Sequence, residues 1–370
     1  MAYSQAGWRQ PWRRARERTR TYDGRVCEDP DDPPSRPAPS GFAVRHPTWQ
    51  DVDAVAELFA EVGKARTGTV TVRRGDVRDL WLELPSLRDA VLVEHPAAEP
   101  SVVAYASYSL DPDPWTDQLA LHVDGRVHPR WTGRGLATYL LDVADDRARR
   151  GGRAAGRDDV VVRTTVEDAD ERAQAFFTDR GFLPVRHLLE LRLDLHAAPP
   201  APAWPSGVTC RSFTAGRDEE VVWRAHQAAF ADVPTHLPMP LADWVETRIR
   251  RDPAFDPNLL LIAEHDGEAV GLAVCRAGTE VNKLEGWVRD LGVVPGWRRR
   301  GVGMALLRHA FAAFRARGLT AVALEVDDVT VAGAVALYRR AGMRVVRRTD
   351  VVERPGRAAG VSHRPVVPPR

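Results

Sequence analysis

The chain has 370 residues, 44% of them apolar and 28% charged, and a formal net charge of +1. That length exceeds one ordinary hydrophobic core and suits two. The near-neutral balance argues against a nucleic-acid or anionic-membrane partner, and no run of about 18 apolar residues is present to span a bilayer.

Nearly all basic residues are arginine; Lys64 and Lys283 are the only lysines. Cys27, Cys210 and Cys275 lie far apart and form no CxxC pair. This excludes a disulfide framework and a Cys-type zinc site, and fits a reducing compartment. No apolar segment follows the early arginines, so the expectation is a cytoplasmic chain without a secretory signal.

In chain order, residues 1–40 are expected to be a disordered tail. Seven arginines fall between Arg9 and Arg25, followed by EDPDDPPSRPAP, a composition too poor in apolar surface to offset chain entropy. A first domain is expected over 41–196. It opens at Phe42 with FAVRHPTWQDVDAVAELFAEV, a short strand and then an amphipathic helix. LVEH (92–95) lies in a strand, VHPRWTGRGLATYLL (127–141) turns into a helix, and FFTDRGF (176–182) ends another. Residues 197–206, AAPPAPAWPS, hold four prolines and read as a stiff linker.

A second domain is expected over 207–352, with a flexible tail over 353–370. It repeats the first in order: VTCRSFTAGRDEEVVWRAHQAAF from Val208, IAEH (262–265), VVPGWRRRGVGMALL (293–307) and LYRRAGM (337–343). Pro129 matches Pro295, and Gly135 matches Gly301. Matches kept in order over most of both halves indicate a duplication. His95 and His265, in the paired strands, read as structural, and Cys210 and Cys275 as ordinary buried residues.

The chemistry concentrates in the second copy. Residues 287–294, WVRDLGVV, form a largely apolar strand that Pro295 ends. Arg298, Arg299, Arg300, Gly301, Val302 and Gly303 follow. A helix then runs to about Arg317, with Val302, Leu306, Ala310 and Phe314 at helical spacing. A strand, a basic glycine-containing turn and a helix N-terminus make an anion site, because the first helical N–H groups have no intrahelical acceptor. The glycines at 301 and 303 would let a phosphate approach the backbone. Neither Gly-Lys-Ser/Thr nor GxGxxG is present, so the expected ligand is a phosphate or pyrophosphate outside those two classes.

The spacing Arg298-x-x-Gly301-x-Gly303 resembles the pyrophosphate loop of the GNAT superfamily of acyl-CoA N-acyltransferases. The order of strand, loop, helix, the strand AVALEV (321–326) and the helix ending LYRRAGM extends this resemblance over nearly all of 208–350. It implies an α/β fold of mixed α+β character: two tandem GNAT domains, each a mixed central sheet flanked by helices. It further implies acetyl-CoA as co-substrate, a small-molecule amine as acceptor, direct acyl transfer, and no metal. The layout resembles actinobacterial tandem-GNAT proteins, mycothiol synthase among them. A monomer or homodimer is expected.

Under this resemblance, pyrophosphate rests on Arg298 to Gly303, and backbone N–H groups from Leu291 to Val293 polarise the thioester carbonyl. Tyr338 protonates the departing thiolate, and Asp290 is the candidate general base, with Glu285 nearby. Thr330 stands where many relatives carry an asparagine. Glu285, Asp290, Glu325, Asp327 and Asp328 suggest an acidic rim that would attract a cationic amine. In the first copy Thr132 stands for Arg298, while Gly133, Arg134, Gly135 and Ala137 form a possible second CoA site. Phe177 replaces Tyr338 and cannot donate a proton, so this copy is expected to be degenerate and to cover a face of the second. The rival reading is a non-catalytic acyl-CoA-binding module.

Overall fold

The computed structural model describes residues 36–67, 74–98, 101–113, 116, 118–233, 236, 238–250, 252, 255–278, 283–327 and 333–355. Most of the expected N-terminal tail, Cys27, Asp328 and Thr330 lie outside them. No described helix is long and apolar enough to cross a membrane.

The first copy runs β1 (Ala43–Arg45), α1 (Val52–Thr67), α2 (Arg74–Glu83), β2 (Ala90–Glu94), β3 (Val102–Pro112), β4 (Leu119–Val127), α3 (Leu136–Ala155), β5 (Val160–Glu167), α4 (Glu171–Thr178) and β6 (Leu183–Asp194). The second runs β7 (Val208–Ser212), α5 (Glu219–Phe230), α6 (Leu241–Val245), β8 (Phe255–His265), β9 (Glu268–Ala277), β10 (Glu285–Val293), α7 (Val302–Ala316), β11 (Ala321–Asp327), α8 (Ala334–Arg340) and β12 (Arg344–Pro355). A π-helical turn, Glu246–Arg250, extends α6. Residues 197–205 carry no regular element, as four prolines dictate.

Among the described residues, twelve strands form one sheet in the order β1-β2-β3-β4-β5-β12-β6-β11-β10-β9-β8-β7. Only β4 with β5 and β10 with β11 pair in parallel. Each copy therefore has the mixed sheet expected, but the two sheets are joined by exchange of their last strands. β6 ends the first copy and pairs with β11 of the second from Asp194 to Leu188. β12 ends the second copy and pairs with β5 of the first from Glu167 to Val161. The copies thus meet edge to edge, which corrects the expectation that one covers a face of the other. The exchange also corrects the tail boundary. Glu353, Arg354 and Pro355 are strand residues, because Glu353 accepts from Arg163 Nε of β5 at 3.0 Å and Arg354 Nη2 donates to Asp145 of α3 at 2.6 and 2.7 Å.

Apolar periodicity explains the helices. Val302, Leu306, Ala310 and Phe314 of α7 all point into one core with Leu307, Phe311, Val322 and Leu324. Phe311 and Phe314 are almost fully buried, each contributing on the order of 2–3 kcal/mol by removal from water.

The duplication persists in side-chain contacts. Arg45 Nη2 reaches Asp51 at 2.7 Å and Glu94 at 2.7 Å, and Arg211 Nη2 reaches Asp218 at 3.0 Å and Glu264 at 2.6 Å. His95 packs on Trp131 with ring centroids 4.3 Å apart, and His265 on Trp297 at 4.5 Å.

Candidate active site

The decisive irregularity lies in β10. Opposite β9, Val288 pairs with Cys275 and Asp290 with Val274, leaving Arg289 as a bulge. An extra residue reverses the alternation of faces beyond it. Val288 joins the core beneath α7, and so do Leu291 and Val293, although 288 and 291 differ by three. Gly292 faces α5, where a Cβ would meet Ala229 Cβ at 2.8 Å. Asp290 lies 3.4 Å from Arg248 Nη1 and 3.9 Å from His226 Nε2, on that same side. On its other edge β10 pairs with β11 only from Glu285 to Trp287. Beyond Trp287 the two parallel strands part, and Leu291 to Val293 border the gap.

The turn into α7 has the backbone an anion site needs. Gly301 caps the helix at φ 94°, a left-handed conformation that disfavours a side chain. The first helical bond runs from Ala305 N to Gly301 O, so the N–H groups of Val302, Gly303 and Met304 have no intrahelical acceptor. Arg299, at φ 63°, and Arg300 are exposed, with Arg300 lying over the Trp297 ring at 4.9 Å. A Cβ at Gly303 would make ordinary 3.5 Å contacts with Leu337 and Val293. Arg298 turns elsewhere. Its Nε donates to Val293 O at 3.1 Å, and its Nη2 donates to Ala229 O at 2.9 Å and to Asp232 at 2.8 Å. It ties the loop to the end of α5.

Tyr338 sits on α8 and is 9% exposed. Burial, and then the negative charge of Asp290, push its phenol up to about 12. It therefore stays protonated and able to donate. Asp290 behaves in the opposite way. Burial alone would raise it, but Arg248, His226 and Arg289 hold it at about 2. A carboxylate this acidic is a poor proton acceptor, which is the physical objection to Asp290 as general base. The acidic rim is also largely neutralised. Arg192 and Arg186 of β6 pair with Glu285 at 2.7 Å and Asp327 at 3.1 Å.

Arg248, Arg289 and His226 surround Asp290 and were not singled out by sequence reasoning. His226 is 3% exposed, and burial pushes it down to about 4. The available signal was its place on the buried stripe Val222, Ala225, His226 and Ala229 of α5.

The first copy keeps the loop and the splay, since β4 pairs with β5 only from Leu119 to His122, but it lacks the bulge and the tyrosine. Gly133 and Gly135 adopt φ 76° and 80°, matching Arg299 and Gly301, and Arg134 lies over Trp131 at 4.6 Å. Ala137 is exposed on the first turn of α3. However, β4 pairs with β3 in unbroken register from Val127 to Leu119, so it has no bulge. Thr164 of β5 donates to Val123 O of β4 at 2.9 Å, bridging the strands where they diverge. Phe177 is packed between Phe176 and Phe182, with centroids 5.0 and 5.1 Å away.

A duplicated mixed sheet, a splayed and bulged strand and a glycine-capped helix after it are the arrangement that the expected acyltransferase fold calls for. The model of the acetyltransferase (GNAT) family matches residues 58–182 and 220–343, and the chain belongs to that family as an N-acetyltransferase. It is similar to the mycothiol acetyltransferase of Frankia alni, 33% identical over 76% of this chain and 86% of the relative. That of Streptomyces avermitilis is 32% identical over 82% and 91%. Among solved structures, a GCN5-related N-acetyltransferase from Sphaerobacter thermophilus superposes with a TM-score of 0.70 at 30% identity, covering 87% of this chain and 98% of that one. A tandem GNAT protein from the clavulanic acid biosynthesis pathway gives 0.64 at 18%, covering 86% and 100%.

Proposed function

We propose that the second copy transfers an acetyl group from acetyl-CoA to a primary amine of a small molecule, by direct attack on the thioester. The observation that carries this reading is the combination, within that copy alone, of the β10 bulge, the gap beside Leu291 to Val293, and Tyr338. The free N–H groups at the start of α7, with Arg299 and Arg300 flanking them, fit a pyrophosphate. The co-substrate supplies the activated acetyl group. The amine nitrogen bonds to the carbonyl carbon, the carbon–sulfur bond breaks, and the Tyr338 hydroxyl gives its proton to the sulfur. Backbone N–H groups of β10 stabilise the charge on the carbonyl oxygen during attack. The proton lost by the amine passes to solvent, since Asp290 is too weak a base to hold it. Asp290 instead acts through its charge. A cytoplasmic location fits the need for acetyl-CoA and the free Cys210 and Cys275.

A second reading, a mycothiol-synthase-type acceptor, is favoured by identity above 30% to mycothiol acetyltransferases over most of the chain.

Calorimetric titration of acetyl-CoA into the wild type and into Arg299→Glu tests the proposal, with thiol release assayed alongside. Binding that the charge reversal weakens at least tenfold, together with amine-dependent thiol release, supports it. Binding without turnover in any amine panel favours an acyl-CoA-binding module instead.

A further inference from the structure

Beside the transfer gap, two largely buried guanidiniums share one carboxylate. The Arg248 side chain is 16% exposed; its Nη1 lies 3.4 Å from Asp290, and its buried Nε has no hydrogen-bond partner. Arg289, the bulge residue, is 10% exposed and approaches Asp290 no closer than 3.9 Å and Asp252 no closer than 3.4 Å. Asp252 is itself held by Arg276 at 2.5 Å. Burial, followed by the like charge of Arg248, pushes the Arg289 guanidinium well below its usual range. A buried cation at such distances from its anions carries a desolvation cost that an additional anion would offset.

The surroundings point to a ligand independently. Both ring nitrogens of His226 are buried without a hydrogen-bond partner among the described residues. Its ring lies 5.7 Å from that of Trp244, whose buried Nε1 also lacks one. Gln227 Nε2, on the next residue of α5, is a fourth such atom, while its Oε1 accepts from Met239 N at 3.3 Å. Buried polar atoms are normally satisfied, so the two unpaired nitrogens of His226, one of them 3.9 Å from Asp290, mark a place that a polar molecule fills.

Resting on the acetyltransferase reading, we propose that this cluster beside Asp290 receives a carboxylate carried by a substrate, with Arg248 and Arg289 as its partners. Two sources share that chemistry: an acceptor amine that bears a carboxylate, as an amino acid does, or an acyl group that ends in one, as succinyl-CoA does. Asp290 beside the guanidiniums suits the ammonium of an amino acid, giving one anion site and one cation site side by side.

The test uses the full chain. Thermal unfolding is followed in sodium formate against sodium chloride of equal ionic strength, for wild type and for Arg248→Gln. The expected result is a formate-dependent rise in Tm in the wild type that Arg248→Gln loses, with acetyl-CoA affinity by calorimetry unchanged within about threefold. No formate effect in the wild type, or one that survives in Arg248→Gln, overturns the proposal. Loss of acetyl-CoA binding by the wild type would instead sink the acetyltransferase reading. Two kinetic arms then separate the sources. Amino acids are compared with their methyl esters and decarboxylated amines under acetyl-CoA, and succinyl-CoA is compared with acetyl-CoA for a carboxylate-free amine. A preference of about tenfold or more in kcat/KM for the carboxylate form in one arm, lost in Arg248→Gln, identifies its carrier. Preference for the carboxylate-free partner in both arms overturns the proposal.

Discussion

Arg298 and Asp232 face each other at 2.8 Å, so the arginine that best matches the phosphate-loop spacing is anchored to the end of α5. Its role is to fix the loop's position against the α5 and β10 backbones. The pair is exposed, at 36% and 60%, and by itself contributes at most about 1 kcal/mol.

Arg298→Ala is therefore expected to weaken acetyl-CoA binding roughly tenfold, through the lost bonds to Val293 O and Ala229 O. Asp232→Ala should weaken it less, in the same direction. Calorimetry checks this. An intact Asp232→Ala beside complete loss in Arg298→Ala would instead mean that Arg298 touches the pyrophosphate directly.

Tyr338→Phe removes a proton donor without changing the ring. The expected outcome is a fall in kcat of about 100-fold with little change in acetyl-CoA KM. Phe177→Tyr should restore nothing in that background, because β4 has no bulge. Activity gained from Phe177→Tyr would show that the first copy retains a usable thioester site.

Acid should destabilise the protein in two stages, and the signs follow from the groups. His226 is held neutral by burial at about 4, below the ordinary histidine range of about 6.5. The unfolded chain then binds the extra proton, and stability falls as pH drops through that interval. Asp290, held at about 2, contributes stability above the ordinary carboxylate range and loses it only as pH falls toward 2. His226→Phe should flatten the dependence of Tm on pH between about pH 4 and pH 6.5. Asp290→Asn should cost about 3 kcal/mol at neutral pH by leaving Arg248 and Arg289 without their shared anion.

Arg354→Met should cost about 3 kcal/mol in chemical denaturation, since it strands Asp145 as a buried charge. Arg354→Met with Asp145→Leu should recover much of that loss. If the double variant is no better than the single, the ion pair is not what holds β12 to α3.

Local signals in the sequence carried far, and non-local ones did not. The duplication, the positive-φ glycine at 301 and the contrast between Tyr338 and Phe177 were legible because each depends on a few neighbouring residues. The bulge was not, since Arg289–Asp290 reads equally well as part of a regular strand. Pairing of Arg298 with Asp232 spans 66 residues, and the arginines that neutralise Glu285 and Asp327 come from the other copy. The acidic rim looked free for that reason. Strand exchange leaves the amphipathic pattern of β6 and β12 unchanged, so periodicity alone could not say which sheet each would join.

That exchange sets a timetable for synthesis. β5 of the first copy emerges from the ribosome long before β12, its only partner on that edge, has been made. Until Arg344–Pro355 is released, the first half carries an unpaired strand edge, the kind of surface on which nascent chains associate wrongly. Slow translation between the two halves should therefore lower the yield of folded protein, and a chaperone that shields strand edges should restore it.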